Sequence, residues 1–173
     1  MNFELLPLRV EHLTQFKKDM QEAFQQGAVE EFGMIDMQIL PASHIDRSLQ
    51  APGAIAYEAI VEGELVGGAI VVIDENTQHN HLDFLYVKNG NHSKGFGQAI
   101  WNQIEQLHPK TKVWETSTPY FEKRNIHFYI NKCGFHIVEY FNKYHKDPND
   151  PDAMEDFTDS DYFADFFLFK KVM

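Results

Sequence analysis

Apolar and polar positions change period several times along the chain, and each change predicts a new element. Short runs rich in β-branched and aromatic residues predict seven strands. They cover residues 3–9, 54–63, 64–74, 81–87, 112–118, 135–144 and 162–173. Apolar residues spaced three and four apart predict four helices. These helices cover roughly residues 10–26, 43–50, 98–108 and 120–132.

Glycine and proline positions set the expected boundaries of these elements. Gly27 is expected to end the first helix, because glycine commonly follows the last helical residue. Residues 28–40 have weak periodicity, and we expect a mobile region over an active site there. The sequence Glu62-Gly63-Glu64 between two β-rich runs predicts a hairpin.

The order of elements predicts an α/β fold with a mixed α+β sheet. Hairpins alternate with strand–helix–strand units, which is typical of a central sheet flanked by helices. At 173 residues the chain is long enough for one sizeable core and short for two. We therefore expect a single domain covering residues 1–173.

Charge limits the classes of partner. The net charge is −11, and residues 147–165 hold eight acidic residues without a single lysine or arginine. Such a chain is a poor candidate for binding nucleic acid or an anionic membrane. The acidic segment favours a cationic small molecule as partner, although a solvated loop that aids solubility explains it equally well.

Composition indicates a globular protein of a reducing compartment. Hydrophobic residues make up 43% of the chain, and no apolar run approaches the ~20 residues of a membrane span. Cys133 is the single cysteine, which excludes an internal disulfide framework. The first residues lack the pattern of a signal peptide, so the cytoplasm is the expected location.

The most informative stretch covers residues 81–108. An apolar strand leads into a polar loop holding Gly90, Gly95 and Gly97, and an amphipathic helix follows. A helix that begins among glycines presents unpaired N–H groups and the positive end of its dipole, which together favour a phosphate or pyrophosphate. The spacing matches neither the P-loop nor the dinucleotide fingerprint. A tight turn without a ligand remains the simpler alternative.

The sequence VKNGNHSKGFG at residues 87–97 resembles the signature of the GNAT superfamily of N-acetyltransferases. In that family a strand ending in valine precedes Gln/Arg-x-x-Gly-x-Gly/Ala at the start of a helix, and His92 stands here where glutamine or arginine is usual. The resemblance implies acetyl-coenzyme A as co-substrate, held by loop amides at its pyrophosphate and by the strand at its pantetheine arm. The residues implied in cofactor binding are Leu85, Tyr86, Val87, His92, Ser93, Lys94, Gly95, Phe96, Gly97, Gln98 and Asn125.

The same resemblance extends over most of the chain. It implies a GNAT-like fold with a mostly antiparallel sheet of about seven strands and about four helices. In that family the strands corresponding to residues 81–87 and 112–116 splay apart to admit the thioester. It also covers NIHFYINKCGF at residues 125–135, which is similar to a later family segment.

Within that later segment, Lys132, Gly134 and Phe135 match in register, whereas Phe128 and Tyr129 stand one residue early. Tyr129 is the implied acid that protonates the leaving thiolate, and packing as a core aromatic is its alternative role. Asn125 lies four residues before Tyr129 on the predicted helix, so the two share a face.

Acetyl transfer to an amine also needs a base, because a free primary amine is protonated near neutral pH. Asp83 and His81 alternate on one strand and therefore share a face, and Glu115 lies on the next strand. Asp83 is favoured, since a carboxylate inside an apolar run needs a reason to be there. His79 and His81 offer too few ligands to predict a metal site.

The expected function is transfer of an acetyl group from acetyl-coenzyme A to a primary amine of a small cationic molecule. Two alternatives remain open: a non-catalytic module that senses acyl-coenzyme A, and acetylation of a protein amine. The aromatic final strand suggests a homodimer contact.

Overall fold

A computed structural model of the chain describes residues 2–149 and 165–173. Within these ranges the sheet contains seven strands, accompanied by four α-helices. The strands are β1 (Phe3–Pro7), β2 (Ala54–Val61), β3 (Glu64–Val72), β4 (His79–Val87), β5 (Val113–Pro119), β6 (His136–Phe141) and β7 (Phe166–Val172). The helices are α1 (Leu13–Phe32), α2 (Ala42–Gln50), α3 (Phe96–Leu107) and α4 (Lys123–His127). A 3₁₀ turn (Val10–His12) precedes α1, and a π-helix (Phe128–Lys132) follows α4.

The strands are ordered β1-β2-β3-β4-β5-β7-β6 in the sheet, and the paired neighbours β1–β2, β2–β3, β3–β4 and β6–β7 are antiparallel. The mixed α/β class, seven strands and four helices predicted from the sequence are confirmed. The chain divides into two compact units, one ending at Trp114 but including Met173, and one beginning at Glu115.

The first unit contains β1 to β4, paired antiparallel in that order, together with α1, α2 and α3. Glu62 and Gly63 form the two-residue connection between β2 and β3, and both have positive φ, at 52° and 80°. Positive φ at both central residues defines the type I′ turn, whose twist matches that of paired strands. The predicted hairpin is therefore confirmed, with the turn at the expected residues.

Two adjacent glycines in β3 let helices approach both faces of the sheet. A Cβ on Gly67 would lie 3.2 Å from Cδ1 of Ile100 in α3, and one on Gly68 would lie 2.5 Å from Cε2 of Phe16 in α1. Neighbouring strand residues point to opposite faces. The absence of side chains at this pair therefore permits close packing of α1 on one face and α3 on the other.

The expected end of the first helix is wrong. α1 continues through Gly27 to Phe32 and ends at Gly33, whose φ is 81°. A glycine inside a helix costs only about 1 kcal/mol, and burial of the following Ala28, which is fully buried, offsets that cost. Residues 28–32 are thus helical, although weak periodicity suggested a loop.

The segment between α1 and α2 is tied to α1 by the side chain of Gln25. Its Nε2 donates to the carbonyl of Met37 at 3.1 Å, and its Oε1 accepts from the N–H of Ile39 at 3.0 Å. Gln21 Nε2 adds a bond to the carbonyl of Leu40 at 3.1 Å. These contacts give the segment a defined path along α1, where the sequence indicated a mobile region.

The second unit contains most of β5, together with α4, the π-helix, β6 and β7. Its core includes the fully buried Phe135 and Phe169. The acidic segment predicted at 147–165 falls largely outside the described residues, as do Tyr162 and Phe163 of the predicted final strand. No helix in the described part of the chain is long and apolar enough to cross a membrane.

Candidate active site

The loop between β4 and α3 is held at its entrance by backbone and side-chain bonds. The N–H of Lys88 donates to the carbonyl of Val66 on β3 at 2.8 Å, and the N–H of Asn91 closes a turn onto the carbonyl of Lys88 at 3.0 Å. Asn89 Nδ2 donates to the carbonyl of Glu22 on α1 at 3.2 Å. The loop therefore starts from a fixed position against both the sheet and α1.

α3 begins with N–H groups that have no hydrogen-bond partner within the helix. Gly95 precedes the helix with φ 80° and ψ 8°, and no described side chain caps the helix start. The first intrahelical bond runs from the N–H of Ala99 to the carbonyl of Gly95. The N–H groups of Phe96, Gly97 and Gln98 precede that bond, and such groups have no partner within a helix.

The loop surface is open where an anion would approach. A Cβ built on Gly90 or Gly95 would meet no atom within 4 Å. Ser93, at φ 65°, and Lys94 are exposed, and His92 is half-buried. The side chain of Phe96 turns away into the core, where it stacks on Phe3. The side chain of Phe96 is thus unavailable to a ligand, and its backbone amide is the group that can bind one.

Tyr86 on β4 contributes to the core rather than to an open surface. Its ring contacts the ring of Phe16 edge to face at 5.4 Å, and burial, reinforced by Asp19 and Glu58, raises the pKa of its phenol. The hydroxyl has no hydrogen-bond partner among the described residues. Of the implied pantetheine-binding residues Leu85, Tyr86 and Val87, Tyr86 can therefore serve the cofactor only through its backbone.

Asp83 lies at a β-bulge in β4. Ile70 of β3 pairs with Phe84 and Val71 pairs with Leu82, so Asp83 is an extra residue without a partner across the ladder. Bulges re-aim side chains and are frequent beside active sites. The side chain of Asp83 is 24% exposed, so the bulge leaves it partly accessible within an otherwise apolar strand.

Both carboxylate oxygens of Asp83 are engaged. Ser48 Oγ, on α2, donates to Oδ2 at 2.5 Å, and His81 Nδ1 lies 2.7 Å from Oδ1. The shared face predicted for His81 and Asp83 is consistent with this contact. Ser48 is a residue that the sequence did not indicate, because nothing local relates a helical serine to a strand 35 residues away.

In the second unit, the one-residue offset of Tyr129 is accommodated by the π-helix. The N–H of Cys133 donates to the carbonyl of Phe128, five residues back, and the N–H of Phe135 donates to the carbonyl of Tyr129, six residues back. An ordinary α-turn spans four residues. The wider turn takes up the extra residue, and π-helical segments of this kind occur mostly at functional sites.

Tyr129 is 6% exposed and packs against the rings of Phe128, Phe135 and Phe169. Burial is the main cause that raises the pKa of its phenol, while a hydrogen bond with the side chain of Thr116 opposes the shift. The phenol therefore stays protonated at neutral pH, as a proton donor must.

The other candidates of the second unit are less well placed for acid–base chemistry. Glu115 Oε1 lies 3.3 Å from Nζ of Lys170, so this carboxylate is already paired with a cation. Asn125 is half-buried on the short α4. As for metals, no group of three or more His, Cys, Asp and Glu side chains in the described residues is arranged to hold an ion.

A polar cleft of about 390 Å³ lies beside α1 in the first unit. Among the described lining residues the carboxylates are Glu22 and Asp36 and the cation is Lys18, whose Nζ lies 4.0 Å from Oε1 of Glu22. The remaining side chains are mainly amides, from Gln21, Gln25 and Gln38. Because the carbonyl of Glu22 also receives the bond from Asn89, the cleft adjoins the loop that precedes α3.

Comparison with known proteins matches the chain to a family. The model of the acetyltransferase (GNAT) family matches residues 14–135. A protein of Bacillus subtilis (strain 168), the uncharacterized YrkN, is 45% identical over 163 residues, covering 93% of this chain and 88% of that protein.

Solved structures share the fold over nearly the whole chain. PaiA N-acetyltransferase from Thermoplasma acidophilum, in complex with coenzyme A, has a TM-score of 0.68 at 16% identity and 100% coverage of both chains. Spermidine N-acetyltransferase from Vibrio cholerae, in complex with coenzyme A and spermine, also has a TM-score of 0.68, at 11% identity, covering 98% of this chain and 95% of that one. At such low identity these likenesses concern the fold. From the family match, the chain belongs to the acetyltransferase (GNAT) family and is an acetyl-coenzyme A-dependent N-acetyltransferase.

Proposed function

We propose that the protein transfers an acetyl group from acetyl-coenzyme A to a primary amine of a small cationic molecule. The observation that carries the cofactor half of this proposal is the uncapped start of α3. The observation that carries the acceptor half is the acidic cleft beside α1.

The start of α3 fits a diphosphate. Three N–H groups, those of Phe96, Gly97 and Gln98, point out of a helix end that carries partial positive charge. Gly95 supplies the left-handed backbone conformation that brings the chain into the helix, and its missing Cβ leaves room for the ligand. Lys94, exposed beside them, adds a positive charge to the same surface. Ser93 and His92 offer further polar groups.

The pantetheine arm is assigned to the backbone of β4. A strand backbone offers N–H and C=O groups to an extended ligand wherever a neighbouring strand leaves them unpaired. Leu85 and Val87 are half-buried there, so their side chains leave the strand partly open. Asn125 belongs to this proposal only through the resemblance, since its side chain forms no hydrogen bond within residues 2–149 and 165–173 that indicates a role.

The chemistry requires a neutral amine, a polarised thioester carbonyl and a proton for the leaving thiolate. Holding the two reactants together supplies most of the rate enhancement in such a transfer. Tyr129 is the proposed proton donor, because its buried phenol remains protonated at neutral pH. One of the β4 residues His81 and Asp83 is the proposed group that deprotonates the amine.

The acceptor is proposed to be cationic because of the charge in the cleft. Lys18 lies 4.0 Å from Glu22, so the described lining keeps one net negative charge, and Asp36 has no cation within the lining. The amide oxygens of neighbouring glutamines are further acceptors for an ammonium group. The net charge of −11 also raises the local concentration of cations around the molecule. The Vibrio cholerae structure shows that this fold is used by an enzyme named for spermidine.

The test is release of coenzyme A, followed with a thiol reagent, in the presence of amines of different charge. We expect turnover with polyamines or amino sugars and weaker turnover with neutral amines and with peptides. Glu22→Gln and Asp36→Asn should each raise KM for a polyamine about 3- to 10-fold and leave kcat nearly unchanged.

The matched control is Glu64→Gln, which removes one exposed carboxylate of β3 outside the cleft. It should leave KM within twofold of the wild type. Equal activity on neutral and cationic amines would refute the cationic acceptor, and preferred turnover of peptide amines would indicate a protein substrate instead. Tight acetyl-coenzyme A binding without turnover of any amine would identify the chain as a binding module.

A further inference from the structure

We infer that His81 is the general base of the reaction and that Asp83 and Ser48 are positioning residues that orient its ring. This inference rests on the proposed function and deepens it by choosing between two candidate bases. The sequence favoured Asp83, whereas the contacts of the side chains favour His81. The three side chains form a continuous hydrogen-bonded row from α2 to β4.

The distances leave Asp83 little capacity to act as the base itself. Its Oδ2 accepts from Ser48 Oγ at 2.5 Å and its Oδ1 lies 2.7 Å from His81 Nδ1. Ser48 is only 7% exposed, so its hydroxyl is held in place by the packing of α2. Both oxygens of the carboxylate are therefore already occupied by neighbouring side chains rather than open to a substrate amine.

The same contacts define what His81 can do. A carboxylate beside Nδ1 favours the tautomer that carries its proton there, and that tautomer leaves a lone pair on Nε2. No described residue forms a hydrogen bond to Nε2. The side chain is 37% exposed, so a substrate amine or a bridging water can approach this nitrogen.

The bulge explains why the pair can form. Residues two apart on a regular strand stand side by side at a distance set by the pleat. Asp83 is the extra residue of β4, and the local twist at a bulge re-aims its side chain. The carboxylate then reaches His81 along the strand and Ser48 across to α2 at the same time.

The proton and bond changes of acetyl transfer start at Nε2 of His81. Nε2 of His81 takes one proton from the ammonium group of the acceptor, directly or through water, and the neutral amine attacks the thioester carbonyl. The new C–N bond forms as the C–S bond breaks, and the leaving thiolate takes a proton from the proposed donor, Tyr129, to give coenzyme A. The nitrogen of the new amide loses its second proton, which passes through solvent and restores the phenol. The imidazolium returns its proton to solvent. The net products are the acetylated amine, coenzyme A and one proton.

The experiment compares His81→Gln with His79→Gln. His79 is two residues away on the same strand, is exposed, and its side chain forms no hydrogen bond or ion pair among the described residues. His81→Gln should lower kcat by about 100-fold or more and leave the affinity for acetyl-coenzyme A within threefold. His79→Gln should change kcat by less than twofold. In a His81→Ala variant, added imidazole should restore part of the lost activity.

Asp83→Asn and Ser48→Ala test the positioning role. Asparagine keeps the size of Asp83 but offers an N–H to the ring, so kcat should fall about tenfold or more. Ser48→Ala should reduce kcat less than Asp83→Asn does, since the bond to His81 remains. Nitrogen-15 NMR of the histidine side chains should show His81 with its proton on Nδ1 in the wild type and on Nε2 in Asp83→Asn.

The outcomes separate this inference from the proposed function. If wild type turns over an amine and His81→Gln does so at a similar kcat, His81 is not the base. A wild-type ring protonated on Nε2 would equally overturn the inference, whether or not the variants fold. If wild type turns over no amine at all, the proposed function fails, and the catalytic role of His81 fails with it.

Discussion

Replacing Gly95 with alanine tests whether the start of α3 holds the cofactor. Gly95 has φ 80°, and an added Cβ would meet no protein atom within 4 Å. The substitution therefore introduces backbone strain without a steric clash inside the protein. Placing an L-residue in the left-handed region costs about 1–2 kcal/mol.

The cost of the strained backbone is expected to be divided between the free energy of unfolding and the affinity for acetyl-coenzyme A. The loop around residue 95 is exposed, so alanine can relax partly toward negative φ in the free protein. The strain that stays lowers the free energy of unfolding, and the part that is relieved must be regained when ligand binds. A penalty of about 1–2 kcal/mol corresponds to a loss of about 5- to 30-fold in affinity. The methyl group, standing where the diphosphate approaches, adds to that loss.

Gly63→Ala is the matched control, because Gly63 also has φ 80° and open space at its Cβ but lies in the β2–β3 hairpin. Both variants should lower Tm by about 2–8 °C, measured by circular dichroism. Calorimetric titration should show weaker acetyl-coenzyme A binding for Gly95→Ala only. Gly95→Ala could lose the same stability as Gly63→Ala yet bind acetyl-coenzyme A within twofold of the wild type. In that case the N–H groups at the start of α3 do not hold the cofactor.

Three further predictions follow from the contacts of single residues. Gly68→Ala places a methyl group 2.5 Å from Phe16 and should destabilise the fold by about 1–3 kcal/mol or more in urea unfolding; an unchanged midpoint would contradict the packing of α1. Tyr129→Phe should lower kcat by about 100-fold and stability by about 1 kcal/mol through the lost bond to Thr116. Unchanged turnover would exclude the phenol as proton donor. The backbone N–H groups of Thr77 and Asn76 donate to the carboxylate of Asp74 and lower its pKa, so NMR titration should find that pKa below 3.8. Its stabilising effect is then present above the pKa of the unfolded chain and is lost as pH falls through the folded value, and an ordinary pKa would show that these bonds do not form in solution.

The elements set by local signals were predictable from the sequence. The Glu62–Gly63 turn needs two positive φ angles. A glycine with an acidic neighbour between two β-rich runs is a pattern that predicts such a turn. The change of period after Gly97 likewise located α3 within two residues. In both places the residues that determine the local structure lie within one short stretch of chain.

Features that depend on tertiary packing were not predictable. The bond from Ser48 to Asp83 requires α2 to lie against β4, and no periodicity encodes which face of a short helix meets which strand. The bulge at Asp83 depends on a mismatch between two strands rather than on either strand. The passage of α1 through Gly27 depends on the burial of Ala28, which outweighs the local helix propensity.

The π-helix at Phe128–Lys132 gives the chain a place where its length can change at little cost. The widened turn has Tyr129 at one end and Gly134 at the other, so a residue gained or lost between them alters the coil of the backbone while both ends keep their neighbours. A chain shortened by one residue there would wind as an ordinary α-helix. Tolerance of such length variants would let the sequence change beside Tyr129, the proposed proton donor, while its ring keeps its neighbours.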